Sequence, residues 1–438
     1  MESELFCNSF WIFNMFPIIG IIRNKNFRNL WLGQIVSQIA VNMIGFILMI
    51  RVYQQTSSNI AVSGMLIAIG IPSVFFGVLA GGLVDQFDKR LVMILCNILR
   101  AMLLVVFFFT VNSLLMAYLL AFIFSVITQF FIPAEAPSIP NLVDKEELLG
   151  ANSLFTFSFY ASTVIGFILA GPFLRLFGQH NIFLFVGVLM LLATYFSSKI
   201  PSEKGKMGRI DLSLEKIGRD INVGFQFIGQ NKRVKHSLLL MTFSQALIAV
   251  LATLAPGFAD KTLKIILEDS SFLVMGPAAA GLIIGALAVG TWGKLFLKRV
   301  IILVGILGTG TTLLLLSLLV RVSHNAYFSL IIGNVPIGGL EVAIFIIFIL
   351  GFTNALVSVP ASTVLQEDTE GKLRGRVYGV LTALTGGVAI LPVIFSGILA
   401  DSFGIGRTLF VIGVIVILFG IYRLLKLSST SFNIEKQS

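Results

Sequence analysis

Cysteine is nearly absent from this chain of 438 residues, which has only Cys7 and Cys96. Two cysteines exclude a disulfide framework and a cysteine-rich metal site. Charge is scarce as well. Asp, Glu, Lys and Arg make up 12% of the residues, about half the share of an ordinary soluble domain. The three histidines, His180, His236 and His324, are too scattered to ligate one metal. The chain also lacks a phosphate-cradling Gly-x-x-x-x-Gly-Lys loop, a His-Glu-x-x-His zinc motif and a Gly-x-Ser-x-Gly elbow. ATP-driven work by this chain alone, zinc hydrolysis and serine-esterase chemistry have no support, and neither a cofactor nor an enzyme is expected.

Apolar residues are what the chain has instead. They account for 57% of it, with a mean hydropathy of +0.97. A soluble core cannot hide so much apolar surface, and a disordered chain needs far less of it. The 40 Phe and 41 Gly residues suit helices packed in lipid, where Gly lets helices approach.

A spanning helix needs about 20 apolar residues. Such runs lie near 30–52, 60–84, 91–111, 114–134, 151–173 and 181–198. A second set lies near 237–259, 272–293, 300–320, 340–362, 377–399 and 407–425. Phe10–Ile22 is too short to span and reads as an interfacial segment. The opening Met-Glu-Ser-Glu lacks the basic start of a signal peptide.

Charge placement orients the spans. Arg51, Arg175, Lys261, Lys264, Arg321 and Arg407 fall on one side of the membrane, and Arg100 lies inside a span. Every other one of the 31 Lys and Arg falls on the opposite side. Basic residues collect on cytoplasmic loops, so both termini are expected in the cytoplasm. This bias accounts for the net charge of +10 without nucleic acid. The central loop repeats Leu214, Ile217, Ile221, Phe225 and Ile228 at helical steps beside basic residues. That pattern predicts an amphipathic helix on the inner leaflet.

The two sets of spans repeat one another. Gly81-Gly-Leu-Val-Asp-Gln-Phe-Asp-Lys-Arg90 matches Gly290-Thr-Trp-Gly-Lys-Leu-Phe-Leu-Lys-Arg299 in its ends and length. Gly171-Pro-Phe-Leu-Arg-Leu-Phe-Gly178 matches Gly397-Ile-Leu-Ala-Asp-Ser-Phe-Gly404. Pro133-Ala134 matches Pro360-Ala361. The offset grows after the first pair, and the external loop 321–339 is long enough to hold the extra residues. A duplicated six-span unit is expected, with a substrate site at the midplane between the copies.

The loop Gly81-x-Leu83-x-Asp85-x-x-Asp88-Lys89-Arg90 resembles the signature of the major facilitator superfamily. Asn26-Phe-Arg-Asn-Leu-Trp-Leu-Gly-Gln34, Val52-Tyr-Gln54, Asp144-Lys-Glu-Glu-Leu-Leu-Gly-Ala-Asn152 and Leu373-Arg-Gly-Arg-Val-Tyr-Gly379 narrow the resemblance. Together they are similar to the exporter branch that includes enterobactin exporters and macrolide efflux proteins. The resemblance implies an all-α membrane protein of twelve helices in two pseudo-symmetric six-helix bundles. Its parts would be an interfacial segment at 1–25, a first bundle at 26–199, an amphipathic linker at 200–236, a second bundle at 237–427 and a tail at 428–438. It also implies alternating access and a cytoplasmic gate of Gly81, Asp85, Lys89, Arg90, Arg374 and Arg376.

Four positions depart from that pattern. Gln86 stands where the family usually has Arg, and Lys294 where a symmetric second copy would have Asp. Phe167 replaces the proline of the antiporter motif, and Val41 stands where relatives often carry an acid. The last two weaken the case for proton antiport.

Polar groups in lipid are costly and face a cavity or another helix. Gln34, Gln38 and Asn42 share one face of the first span. With Gln129 beside Thr128, Gln245, Asn354 and Ser358, they form the expected substrate cavity, since the family lines its cavity with these spans. Arg100 is an intramembrane charge, about two turns into its span, that snorkels or binds a buried carbonyl or anion. Arg51, Glu135 and Glu341 lie near span ends, where snorkelling explains each.

The expected partners are a small-molecule substrate, protons or another coupling ion, and membrane lipids, with the chain acting as a monomer. The reading is export of an amphipathic drug or siderophore across the cell inner membrane. Uptake, lipid flipping by the same fold and a non-transporting sensor stay open at this point.

Overall fold

The computed structural model describes residues 20–84, 86–144, 146–202, 226–323, 329–332, 335–368, 387 and 390–435. Its elements begin with α1 (Lys25–Thr56), α2 (Asn59–Val84), α3 (Lys89–Thr110) and α4 (Leu114–Glu135). A 3-10 turn over Ala136–Asn141 leads to α5 (Leu148–Ser198). Then come α6 (Lys232–Phe258), α7 (Gly276–Trp292) and α8 (Lys298–Ser323). The strands β1 (Ser329–Ile332) and β2 (Val335–Gly338) follow. The order closes with α9 (Gly339–Glu367), α10 (Ile390–Phe403) and α11 (Ile405–Glu435).

Side chains set several helix starts. Asn24 Oδ1 accepts from the N–H groups of Asn26 and Phe27 at 3.0 and 3.3 Å. Asn231 Oδ1 accepts from Arg233 and Val234 at 3.1 and 3.2 Å. An Asn cap satisfies two donors that a helix start leaves open. The caps fall at equivalent points of the two halves, in Asn24-Lys-Asn-Phe27 and Asn231-Lys-Arg-Val234. They are a repeat signal that the loop motifs do not contain. Asp88 caps α3 by accepting from Arg90 N–H at 3.0 Å.

Helix α5 is 51 residues long, about 76 Å if straight, against a hydrocarbon core of about 30 Å. It is two spans. Gly178 interrupts it with φ 77° and ψ 175°, a conformation that Gly adopts without a Cβ penalty. The rings of Phe173 and Phe185 stack at 4.9 Å and those of Phe177 and Phe185 at 4.4 Å. Residues so far apart along a helix meet only if the chain reverses at Gly178. Among the described residues ten helices, α5 counted once, are long and apolar enough to cross a membrane, and Ile390–Phe403 is a shorter apolar helix. With α5 divided, these helices account for eleven of the twelve expected spans, and Ile390–Phe403 is the described part of the remaining one, 377–399, most of whose first half lies outside the described residues.

The chain packs as two compact units. One holds Met1–Ile47 and Ile71–Lys216, the other Leu48–Gly70 and Ile217–Ser438. In the first, α3 packs on α4 and α5. Trp31 Nε1 donates to Ser158 Oγ at 2.5 Å and Gln34 Nε2 to the Phe155 carbonyl at 3.2 Å, which ties α1 to α5. Gly166 allows this approach, because a Cβ there would stand 2.7 Å from the Ile39 carbonyl oxygen. Ile21 is buried with Phe27, Leu30 and Val84, so the last turn of the expected interfacial segment belongs to this core.

The second unit uses the same device. Gly281 and Gly285 of α7 lie against the backbone of Phe348 and Phe352 on α9, and Gly310 of α8 lies against Gly413 of α11. Small residues let membrane helices gain packing contact where lipid removes the hydrophobic drive. The loop 321–339 carries a two-stranded antiparallel hairpin, with Ser329 opposite Gly338 and Ile332 opposite Val335. Most of the central loop lies outside the described residues. Ile228 of its apolar stripe is described, and it packs against Val234, Leu238 and Leu365.

Candidate functional site

The amide face of α1 is in the first unit. Gln34 is fully buried, and Gln38 is buried too. Asn42 is half-buried, and its Nδ2 donates to the Gln38 carbonyl at 2.8 Å and approaches Thr163 Oγ1 of α5 at 3.4 Å. Gln129 is buried and donates to the Ser125 carbonyl at 3.4 Å within its own helix. In the second unit Asn354 is buried and accepts from Ser244 Oγ. Ser358 is half-buried one turn further on, and Gln245 is exposed. Gln34, Asn42 and Asn354 join helices, and Gln34 Oε1 is left without a partner.

Arg100 is 1% exposed at the centre of a polar cluster in the first unit. Its Nη1 donates to Asn97 Oδ1 at 3.1 Å and Ser37 Oγ at 3.3 Å. The guanidinium lies 4.5 Å from the Phe131 ring centroid and 5.7 Å from that of Phe124. Snorkelling does not describe this residue. It does not describe Glu135 or Arg51 either, since both are buried. Glu135 stands where α4 passes into the 3-10 turn, between Phe131 and Ala134 on one side and Ile139 and Leu142 on the other, which share one buried cluster.

The residues expected to form a gate are partly described. Gly81 ends within α2, whereas Asp85, Arg374 and Arg376 lie outside the described residues. Lys89 Nζ donates to the Pro137 carbonyl at 3.2 Å. In the second half Lys298 Nζ meets Glu367 at 2.8 Å. Each half thus ties the start of its third span to the end of its fourth with a lysine. Asp88 also accepts from Ser202 Oγ at 2.5 Å.

One constellation was not anticipated from the sequence. Within the second unit, Asp401 accepts from four donors at the start of α2. They are Ser58 Oγ at 2.5 Å, Asn59 N–H and Asn59 Nδ2 at 2.8 Å each, and Ile60 N–H at 3.0 Å. Burial pushes the Asp401 carboxyl up, but the hydrogen bonds from Ser58, Ile60 and Asn59 outweigh it and hold the group below the usual carboxylate range. Two further acids join in. Tyr53 Oη donates to Asp260 at 3.1 Å and Gln54 Nε2 to Glu268 at 3.0 Å. Ser63 Oγ donates to the Val393 carbonyl at 2.9 Å. The end of α1 and the start of α2 are therefore fastened to acids carried on α10 and on the segment after α6. Asp401 stands inside the Gly397–Gly404 repeat, the sequence feature that could have pointed to it. Among the described residues no group of His, Cys, Asp and Glu is arranged to hold a metal.

Comparison with known proteins places these features. The chain is 25% identical over 387 residues to an uncharacterized MFS-type transporter, YfiS, of Bacillus subtilis (strain 168), covering 86% of this chain and 87% of the relative. It is 23% identical over 407 residues to macrolide efflux protein A of Streptococcus pyogenes, covering 89% and 93%. The nucleoside transporter NupG aligns with a TM-score of 0.68 at 13% identity, covering 91% of this chain and 98% of that one. A bacterial homolog of the human lysosomal transporter Spinster, in an inward-facing and occupied conformation, aligns with a TM-score of 0.69 at 13% identity, covering 92% and 96%. At that identity the structures speak for the fold alone. Residues 30–340 match the Major Facilitator Superfamily. The chain belongs to that superfamily and is a multi-pass membrane transporter of small molecules, not an enzyme.

Proposed function

We propose that this chain exports a small amphipathic molecule, of the drug or siderophore class, across the cell inner membrane by alternating access. The observation that carries the reading is the likeness to macrolide efflux protein A along 89% of the chain. The bundles 26–199 and 237–427 act as the two working halves, joined by 200–236. The one-sided distribution of Lys and Arg supports cytoplasmic termini.

Two carboxylates supply the gates in this reading. Asp85, facing Arg374 or Arg376, closes the cytoplasmic side. Asp401, with its four donors, closes the external side. Substrate is met by the Gln38–Asn42 face, and protons or another coupling ion drive the cycle. The chain works as a monomer among lipids that cover its exposed apolar residues.

Expression in cells sensitive to macrolides tests the reading through accumulation of labelled erythromycin and of a labelled catecholate siderophore. Lower accumulation of one of them than in cells without the protein is expected. Equal accumulation of both, with the protein present in the membrane, contradicts export of these classes.

A further inference from the structure

One buried carboxyl has no task in the reading above. Glu135 closes α4, is 4% exposed, and its Oε1 has no hydrogen-bond partner. Phe131, Ala134, Ile139 and Leu142 form the apolar cluster at this helix end. The charged neighbour is Arg100 of α3, whose guanidinium lies 4.5 Å from the ring centroid of Phe131, one turn before Glu135. Cys96, one turn before Arg100, is a buried free thiol. Lys89 is engaged with the Pro137 carbonyl. From α1 come Gln34 and Ser37, which do not titrate, and from α5 Ala151 and Phe155.

Arg100 is held away from this carboxyl. Ser37 and Asn97 take its Nη1, and the Phe131 ring takes its face. Its Nε and Nη2 have no acceptor, and Asn97 Nδ2 has none either. Unused donors and an unused acceptor therefore occupy one buried region without forming an ion pair. Opposite charges in a medium of low dielectric attract strongly, and an unpaired buried ion is costly. A neutral carboxyl exerts no such pull and leaves the guanidinium in its seat.

We propose that Glu135 is a proton-binding site and that Arg100 is the positioning residue that responds to its charge. With the proton on, Arg100 stays on Ser37 and Asn97, and the pair carries one positive charge. When the proton leaves to water, the pair becomes neutral overall and the guanidinium moves to the carboxylate, shifting α3 against the end of α4. The use of this site in a transport cycle rests on the export reading, whereas its chemistry does not.

Infrared titration of the full chain in lipid nanodiscs tests the site through the carbonyl stretch of a protonated carboxylic acid. The wild type is expected to show a band that fades as pH rises, and Glu135→Gln to lack that component at every pH. Arg100→Gln removes the favourable cation, so the band should persist to higher pH. Ser37→Ala loosens the seat and favours pairing, so it should fade at lower pH. A merely structural role for Arg100 does not produce opposite shifts. Identical titrations of wild type and Glu135→Gln overturn the proposal.

A second arm uses erythromycin flux in proteoliposomes. Glu135→Gln should keep exchange without a gradient and lose acceleration by a proton gradient. Equal acceleration in both proteins overturns Glu135 as the coupling site. If the wild type moves no erythromycin, the export reading fails for that probe and the infrared titration alone decides the site.

Discussion

Gln34 and Asn42 lie on one face of α1, about two turns apart, yet they meet different surroundings. Gln34 is fully buried against α5, while Asn42 is half-buried beside Thr163. Gln38→Ala and Asn42→Ala are therefore expected to change the profile of exported compounds more than protein abundance. Susceptibility across a compound panel, read beside an immunoblot, checks this. Unchanged profiles at wild-type abundance speak against a substrate role for the face. Asp401 belongs to the same scale. Its four donors cap the start of α2 from another element, and loss of a cap costs about 0.5–2 kcal/mol. Asp401→Asn should therefore lower the melting temperature of the purified protein at neutral pH. The native carboxyl lies below its ordinary range, so its contribution is complete above that range and is lost as pH falls through the native value. The difference between wild type and Asp401→Asn should accordingly shrink on acidification. A difference that grows in acid contradicts the assignment. The amide face was legible at this scale because helical spacing alone aligns it. Glu135 was not, because its place at a span end reads as exposed and its burial comes from tertiary packing that a sequence does not display. Asp401 was not, because two of its four donors are backbone N–H groups that a sequence does not display.

At the scale of the element, close helix crossings do most of the organising. Gly166 faces the Ile39 carbonyl and Asn42 so tightly that any side chain must displace α1 from α5. Gly166→Val is expected to cost about 1–3 kcal/mol of stability through overpacking. It should also lower transport by more than the loss of folded protein explains, since the displaced helix carries the amide face. Thermal melting and flux normalised to folded protein measure the two effects. Wild-type stability and flux would show that the crossing has slack. Spans were legible because length and hydropathy set them. The break at Gly178 showed as the gap between two apolar runs. The hairpin β1–β2 was legible only as extra residues in an external loop. The Asn24 and Asn231 caps are readable after the fact as Asn-Lys-x-apolar at the starts of two equivalent spans. They do not stand out because an Asn before an apolar run is common, whereas the loop motifs repeat over eight to ten residues.

For the whole molecule, the outward surface explains the composition. Phe75, Phe109, Phe157, Leu176 and Leu295 are among the large apolar residues left exposed, and such faces are at ease only in lipid. Scarce charge is concentrated where it holds elements together. Lys89 and Lys298 brace the ends of equivalent spans, and Asp401, Asp260 and Glu268 fasten the end of α1 and the start of α2. The duplicated plan was legible because three motif pairs keep their order. This fastening was not, because it joins residues more than two hundred positions apart. Erythromycin flux in proteoliposomes, with an imposed proton gradient and with wild type and Asp85→Asn compared at equal incorporation, tests the central claim most directly. Alternating access with a carboxylate gate predicts gradient-driven flux in the wild type and little in the variant. Equal flux in the two proteins would contradict it.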